Sequence, residues 1–227
     1  MHEHERSALL LGREAIENLK SKCVLVVGVG GVGGMCVEAL ARSGIGHLVL
    51  VDRDVIEASN INRQLIATFE TEGQIKVEAW KKRIGILAPD ARVDTIYATY
   101  DSHMNSVLDQ YPIDFIIDCI DSIASKQDLI LYALDRHIPM ISSMGMARRK
   151  DPSKLVVAEL EKTSYDPMAK RLRLWKRKER IKGKVMVAMS TEPPVKAVPG
   201  QPLPSMIFVP AAAGLVLAQY CVEQLTR

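Results

Sequence analysis

The sequence has few cysteines, and none of them is arranged for a zinc site of the usual spacing. The four are Cys23, Cys36, Cys119 and Cys221, and no two of them form a C-x-x-C pair. This excludes a structural zinc centre built from such pairs. All four lie in apolar stretches, so we expect small buried side chains in a reducing compartment rather than a disulfide framework.

The chain also lacks a strong net charge and an apolar N-terminal core. A formal net charge of +3 over 227 residues is too small to imply nucleic-acid binding by itself. The opening residues MHEHERSALLLG contain no signal-peptide core. The longest apolar run, 206–222, is short for a membrane span and is interrupted by Pro210, Gln219 and Tyr220. We therefore predict a cytoplasmic protein in which this run forms a buried or interface helix, without membrane association.

Apolar runs alternate with segments of helical spacing along most of the chain. Strands are predicted at 23–27, 47–51, 92–98, 114–120, 139–143 and 154–159, and helices at 6–19, 73–87, 125–136 and 208–225, with another ending at Ser43. This alternation is typical of an α/β fold, and we predict a Rossmann-like, mostly parallel twisted sheet with helices on both faces. We treat 1–227 as a single domain, with a nucleotide-binding core at 1–145, a basic and proline-rich crossover insertion at 146–205, and a C-terminal helix at 206–227.

A glycine-rich turn connects the first predicted strand to the helix that follows it. Gly28, Gly30 and Gly33 form a G-x-G-x-x-G motif, and Gly31 lies within it. Glycines there permit a tight turn and close approach of the backbone to a phosphate, and the helix N-terminus favours an anion. Asp52 ends the next strand, where a carboxylate can accept hydrogen bonds from ribose hydroxyls. The motif predicts a nucleotide site, and NAD is its default ligand.

The residues after Asp52 favour Mg-ATP over NAD. Asp54, the run Asn60-Ile61-Asn62-Arg63-Gln64, Lys76 and Asp121 follow it along the chain. Arginine and lysine can neutralise a triphosphate, and an aspartate at the carboxyl end of a strand can hold Mg²⁺. A dinucleotide dehydrogenase does not need this set, so ATP and Mg²⁺ are the predicted cofactors.

These motifs resemble those of the ubiquitin-activating-type adenylating family, which includes the bacterial ThiF and MoeB proteins. The resemblance rests on G-V-G-G-V-G, D-x-D, N-x-N-R-Q, the later lysine and D-C-I-D. Within the family the chain is most similar to the tRNA threonylcarbamoyladenosine dehydratase branch. That similarity rests on R-S-x-L-L-L-G at 6–12, E-A-L-A-R-S-G-I-G at 38–46, D-C-I-D-S at 118–122, D-P at 151–152 and S-T-E at 190–192.

The resemblance implies a role for each matching residue. The Gly28–Gly33 turn would lie under the ATP phosphates, Asp52 would bind the ribose, and Asp54 would set the phosphate and metal region. The triphosphate would be held by Asn60, Arg63 and Lys76, with Gln64 beside them, and Asp121 would coordinate Mg²⁺. Arg6 matches an arginine that reaches into the ATP site of a partner subunit, which implies a homodimer. The implied catalytic residues are Arg6, Arg63, Lys76 and Asp121.

The sequence departs from the sulfur-carrier-activating members of this family in its cysteines. It has no C-x-x-C pairs, and no cysteine occurs between Ala147 and Gln219, where many relatives place a reactive one. Thioester or persulfide chemistry from that region is therefore not expected. In the dehydratase branch the acceptor is a threonine carboxylate on a modified adenosine of tRNA. AMP transfer activates this carboxylate, and a nucleophile within the same modification closes a ring.

A basic segment at 170–184 is the candidate tRNA contact. Nine lysines and arginines lie there beside one acid, Glu179, and Arg148, Arg149 and Lys150 add to them. Trp175 offers a ring for stacking, although packing is its commoner role. The competing interpretation is a solvated charged helix, and DNA is not an expected partner.

Three further possibilities remain open at this stage: a sulfur-relay protein as an additional partner, adenylation of a ubiquitin-like sulfur carrier, and an NAD-binding oxidoreductase or nucleotide-sensing module.

Overall fold

The structure is a computed structural model that describes residues 3–227. Within these residues seven strands form one sheet: Cys23–Val27 (β1), His47–Asp52 (β2), Arg92–Tyr97 (β3), Phe115–Asp118 (β4), Met140–Ser143 (β5), Leu155–Glu159 (β6) and Met186–Ser190 (β7). Their order is β3-β2-β1-β4-β5-β7-β6. Every neighbouring pair is parallel except β6 and β7, which are antiparallel.

Helices cover both faces of this sheet. The described residues contain Glu5–Leu11 (α1), Arg13–Lys20 (α2), Gly33–Ser43 (α3), Lys76–Leu87 (α4), Asn105–Leu108 (α5), Ile123–Asp135 (α6), Pro167–Lys178 (α7) and Phe208–Leu225 (α8). One apolar core joins α2, α3, α4 and α8 to one face, and a second joins α5, α6 and α7 to the other. The predicted Rossmann-like α/β class, with a mostly parallel sheet and helices on both faces, is confirmed.

The first predicted helix is interrupted, so the prediction of one continuous helix is wrong. The segment 6–19 forms two helices, α1 and α2, because Gly12 adopts a φ of 92°, which ends the first helix. Ile16 and Leu19 are buried, whereas Leu9 and Leu10 are more than four-fifths exposed. The exposed leucines leave α1 with an apolar face that the described chain does not cover.

The sheet contains a strand that the sequence pattern did not predict. β7 lies between β5 and β6, so the segment predicted as a crossover insertion supplies two strands of the main sheet. The predicted strand at 154–159 is confirmed as β6, and the proline-rich part of the insertion, 192–205, has no helix or strand.

The C-terminal helix α8 matches the predicted bounds 208–225. Among the described residues it is the one helix long and apolar enough to cross a membrane. Its side formed by Val209, Ala213 and Leu217 is buried in the core that also contains α3. Gly214 is in contact with α3, since an added Cβ would lie 2.3 Å from the carbonyl oxygen of Val32. These contacts are those of a core helix.

Candidate active site

A cavity of about 670 Å³ opens at the carboxyl ends of the parallel strands. β1 has β2 on one side and β4 on the other, which makes this edge the point where the strand order reverses. Open α/β sheets bind ligands at such a point. The predicted site residues that line the cavity are Gly28, Gly30, Gly31, Gly33, Asp52, Asp54, Asn60, Arg63, Gln64, Lys76 and Asp121.

Two glycines of the turn are required by packing. Gly28 has a φ of 86°, and an added Cβ would lie 2.7 Å from the carbonyl oxygen of Cys119. A Cβ on Gly33 would lie 1.8 Å from the carbonyl oxygen of Gly28. The turn therefore closes tightly and rests on the segment after β4, while Gly30 and Gly31 line the cavity.

Asp52 holds the glycine turn as well as facing the cavity. Its Oδ2 accepts a hydrogen bond from the backbone N–H of Val29 at 2.7 Å, and its Oδ1 accepts one from the N–H of Asp54 at 2.8 Å. Burial raises the pKa of this carboxyl above its usual value, against the opposing effect of these two backbone donors. Because a carboxylate has about four lone-pair sites, two accepted bonds leave capacity for a ribose hydroxyl.

Lys76 and Asp54 form an ion pair at the phosphate side of the cavity. Lys76 lies at the start of α4 and is buried, and its Nζ donates to Asp54 Oδ2 at 2.8 Å. The carboxylate of Asp54 is the more exposed member of the pair. An incoming phosphate would compete with Asp54 for the positively charged ammonium of Lys76.

The N-x-N-R-Q run forms the part of the cavity wall that lies next to Gly30 and Gly31 of the glycine turn. Arg63 Nη1 donates to the carbonyl oxygen of Ser59 at 2.7 Å and to Asn62 Oδ1 at 2.8 Å, which fixes the guanidinium. Gln64 is buried beside Gly30, and its Oε1 has no hydrogen-bond partner among the described residues. Buried polar atoms usually have partners, so this amide is available to a ligand.

A fully buried ion pair beneath the cavity was not predicted. Lys126 Nζ donates to Asp118 Oδ2 at 2.8 Å, to Ser142 Oγ at 3.1 Å and to the carbonyl oxygen of Ser143 at 3.0 Å. Asp118 Oδ1 accepts from the N–H of Ile120. This network connects β4, β5 and α6 and fixes the turn that carries Asp121. In the sequence, a feature that could have indicated this ion pair is the lysine within the apolar helix that follows D-C-I-D.

Asp121 itself is exposed at the mouth of the cavity, where it was expected to hold Mg²⁺. Asp121 is not the N-cap of α6; that position belongs to Ser122, whose side chain makes no capping hydrogen bond. No cluster of three His, Cys, Asp or Glu suited to a metal occurs in residues 3–227.

Apart from Arg53, the rest of the cavity is lined by uncharged side chains outside the predicted site residues. Met144, Gly145 and Met146 follow β5, Met168 lies in the first turn of α7, and Leu203 comes from the proline-rich loop. Met144 and Met146 are buried and also line the cavity.

Arg6 does not reach the cavity of its own chain. It is exposed on α1 and is absent from the residues that line the cavity. The structure thus brings together every predicted site residue except Arg6.

The basic segment divides into buried and exposed residues. Arg149, which precedes this segment in sequence, is buried and ion-paired with Asp166. The prediction that it adds to an RNA-contacting surface is therefore wrong. Lys176 is buried beside Glu161, Arg173 bonds to Thr163, and Trp175 packs against the second core. The exposed cations of the segment are Lys170, Arg171, Arg177, Lys178, Arg180, Lys182 and Lys184.

The cysteine beside the cavity is a poor nucleophile. Cys119 lines the cavity, and burial raises the pKa of its thiol far above the usual value, with Asp118 adding to the effect. Because the thiolate is the reactive form, this thiol stays protonated and inert. All four cysteines are free, as expected.

Comparison with known proteins places the chain among adenylating enzymes. The tRNA threonylcarbamoyladenosine dehydratase of Bacillus subtilis (strain 168) is 39% identical, and the match covers 100% of this chain and 96% of that protein. The dehydratase of Escherichia coli (strain K12) is 36% identical over 74% of this chain and 62% of its own length.

A solved structure supports the same relationship. The E. coli tRNA N6-threonylcarbamoyladenosine dehydratase in complex with ATP is similar with a TM-score of 0.90 and 32% identity, covering 97% of this chain and 92% of that one. The sequence profile of the ThiF family matches residues 4–197. The chain belongs to the ThiF family.

Proposed function

We propose that this protein is an ATP-dependent tRNA threonylcarbamoyladenosine dehydratase. The observation that carries the proposal is the arrangement of the glycine turn, Asp52, Arg63, Lys76 and Asp121 around one cavity. Its similarity to dehydratases, one of them solved with ATP, agrees with this arrangement. A tRNA substrate is also consistent with the expected cytoplasmic location.

The reaction begins with ATP held along the glycine turn and Asp52. A carboxylate oxygen of the threonyl group attacks the α-phosphorus, and the bond to the bridging oxygen breaks with release of pyrophosphate. Lys76 and Arg63 neutralise the charge that develops on the phosphate oxygens. A nucleophile within the same modification then attacks the acyl carbon, and AMP leaves with the former carboxylate oxygen. The balance is loss of one water from the nucleoside, with ATP converted to AMP and pyrophosphate.

No enzyme nucleophile is required for the second step. Ring closure within one substrate has a high effective molarity, which replaces the acceleration that a catalytic thiol would supply. This agrees with the protonated Cys119 beside the cavity and with the absence of cysteine from 147–219.

The residues present fit a magnesium ion bound together with ATP. Mg²⁺ is usually held by one or two carboxylates plus substrate phosphates rather than by a cage of protein ligands. Asp121 offers one exposed carboxylate at the cavity, beside the residues proposed to hold the triphosphate. When bound, the ion supplies charge neutralisation to the phosphates.

A homodimer accounts for the position of Arg6. This residue lies outside the cavity of its own chain, on a helix whose Leu9 and Leu10 are exposed. A second copy packed on that helix would cover the leucines and would present Arg6 to the neighbouring cavity.

The exposed cations of 170–184 are the proposed tRNA contact. Seven exposed lysines and arginines lie on α7 and the loop after it, while the whole chain carries a net charge of only +3. Such local density is the electrostatic footprint of a nucleic-acid site.

The proposal is tested with ATP, Mg²⁺ and a tRNA that carries threonylcarbamoyladenosine. Mass spectrometry of the nucleosides should show loss of one water, matched by release of AMP. Pyrophosphate exchange that occurs only after addition of a ubiquitin-like sulfur carrier would contradict the proposal and favour the second adenylating activity.

A further inference from the structure

The uncharged half of the cavity is built from three segments that are distant in sequence. They are 143–147 after β5, Met168 on α7, and 202–205 in the proline-rich loop. None of the cavity residues in these segments is charged. We call this part the acceptor half, because the residues proposed to hold ATP all lie in other segments of the cavity wall.

Helix α7 takes part both in the acceptor half and in the basic surface. Its first turn supplies Met168 to the cavity, and the exposed Lys170, Arg171, Arg177 and Lys178 follow along the helix. The helix has twelve residues, which corresponds to a length of about 18 Å. A strand of RNA lying along it would therefore lead directly from the basic surface to the cavity.

A buried ion pair joins α7 to the wall of the acceptor half. Arg149 Nη2 donates to Asp166 Oδ2 at 3.1 Å, and the side chains are 1% and 0% exposed. Asp166 Oδ1 caps α7 by accepting from the N–H of Ala169 at 2.9 Å. Arg149 Nη1 donates to the carbonyl oxygen of Gly145 at 2.6 Å, on the cavity wall.

The proline-rich loop is tied to the residue next to this pair. The backbone N–H of Arg148 donates to the carbonyl oxygen of Pro204 at 2.8 Å, and its carbonyl oxygen accepts from the N–H of Val195 at 2.9 Å. Arg148 and Tyr165, which directly precede the two paired residues, have φ values of 65° and 53°. Non-glycine residues adopt this conformation only where the surrounding structure enforces it.

Stabilisation of the fold does not by itself explain why this buried ion pair is present. Desolvating two charges costs several kcal/mol, and an apolar pair of similar volume is often as stable. Arg149 also leaves its buried Nε without a partner among the described residues. What the pair provides is a fixed geometry between Gly145 and the first turn of α7.

We propose that Arg149 and Asp166 are positioning residues that lock the wall of the acceptor half to the start of helix α7. RNA bound along the basic face of α7 then has its modified nucleoside directed into the acceptor half. This inference rests on the proposed function.

The test compares affinity for a tRNA that carries threonylcarbamoyladenosine with affinity for the same tRNA lacking the modification. Phosphate contacts bind both equally. The dissociation constant of the unmodified tRNA divided by that of the modified tRNA therefore reports on the acceptor half. In Arg149→Met we expect this ratio to fall by about tenfold, because small displacements of positioning groups have effects of that order or greater. Binding of Mg-ATP should stay within about twofold of wild type, since Arg149 does not line the cavity.

Two further variants separate positioning from stability. The double variant Arg149→Met with Asp166→Asn removes the unpaired buried charge and keeps a capping side chain on α7, so the urea midpoint should recover while discrimination stays low. Arg83→Met is the control for loss of an ion pair outside the cavity: Arg83 pairs with the buried Glu38 at 2.7 Å, and Glu38 keeps Arg42 as a second partner at 2.8 Å. It should lower the urea midpoint and leave discrimination unchanged.

Recovery of discrimination in the double variant, or an equal loss in Arg83→Met, would overturn the inference. Turnover of the modified tRNA by the wild-type protein tests the proposed function separately. If the wild type does not dehydrate this tRNA, the proposed function fails. The inference then fails as well if the wild type does not discriminate between the two tRNAs.

Discussion

Asp121 is the residue whose replacement tests adenylation most directly. In Asp121→Ala we expect the rate of adenylation, measured by pyrophosphate exchange, to fall about a hundredfold or more, because a group that stabilises charge in the transition state is lost. The side chain is exposed, so the free energy of unfolding should change by less than about 0.5 kcal/mol. Asp90→Ala, an exposed aspartate outside the cavity, is the control. Full turnover in Asp121→Ala would remove Asp121 from the metal assignment.

Lys126 is expected to matter for stability. In Lys126→Met the carboxylate of Asp118 stays fully buried without its cation, and such a loss costs about 3–5 kcal/mol. Urea denaturation measures this free energy. Adding Asp118→Asn removes the stranded charge and should recover part of the loss. A cost below about 1 kcal/mol for the single variant would mean that the pair behaves like an exposed one.

At the scale of single residues, the motifs predicted the cavity well but not the pairs that support it. Asp52 and Lys76 were predictable because their spacing from the glycine turn follows from one β-α-β unit and the loop after it. Lys126 and Arg149 were not, because their partners lie 8 and 17 residues away along the chain and meet only through tertiary packing. In a sequence, an arginine within R-R-K has the appearance of a solvated surface residue.

At the scale of elements, the contact between α8 and α3 restricts one glycine. An added Cβ on Gly214 would lie 2.3 Å from the carbonyl oxygen of Val32 and 2.9 Å from the backbone N of Cys36. Gly214→Ala must therefore push α3 away, and we expect a loss of about 1–3 kcal/mol in the free energy of unfolding. Because α3 begins at the glycine turn, the affinity for ATP should fall as well.

Gly85→Ala is the matched control for that prediction. Gly85 lies within α4, and an added Cβ would have no heavy atom within 4 Å. Removing glycine from a helix interior should stabilise the protein by about 0.5–1 kcal/mol. Chemical denaturation of both variants gives the comparison, and equal effects of the two substitutions would show that the α3–α8 contact is not tight.

Most elements were predictable from local pattern, and the exceptions have physical causes. β7 was missed because M-V-A-M-S is a five-residue strand, buried over its last four residues, without the alternation of a half-buried strand. Its neighbours β5 and β6 come much earlier in the chain. The break at Gly12 was missed because the apolar spacing of 6–19 continues across it, while the positive φ of Gly12 ends the first helix.

At the scale of the whole molecule, the proposed homodimer predicts complementation between subunits. Arg6→Ala and Lys76→Ala should each be nearly inactive as homodimers. A purified mixed dimer contains one cavity with an intact Lys76 and an intact Arg6 from the other subunit, so about half of the wild-type activity should return. Pyrophosphate exchange measures the recovery. Mixed dimers as inactive as both parents would place Arg6 outside the neighbouring site.

The position of β7 also has a consequence for synthesis of the chain on the ribosome. β6 emerges before β7, yet its only strand neighbour in the described sheet is β7, which must insert between β6 and β5. From the end of β5 to the end of β7, translation takes roughly 2–10 seconds at ordinary speeds. During that interval the nascent chain carries an open strand edge, the kind of surface that invites incorrect pairing and aggregation. The yield of soluble protein should therefore depend on how quickly the ribosome passes through 144–190.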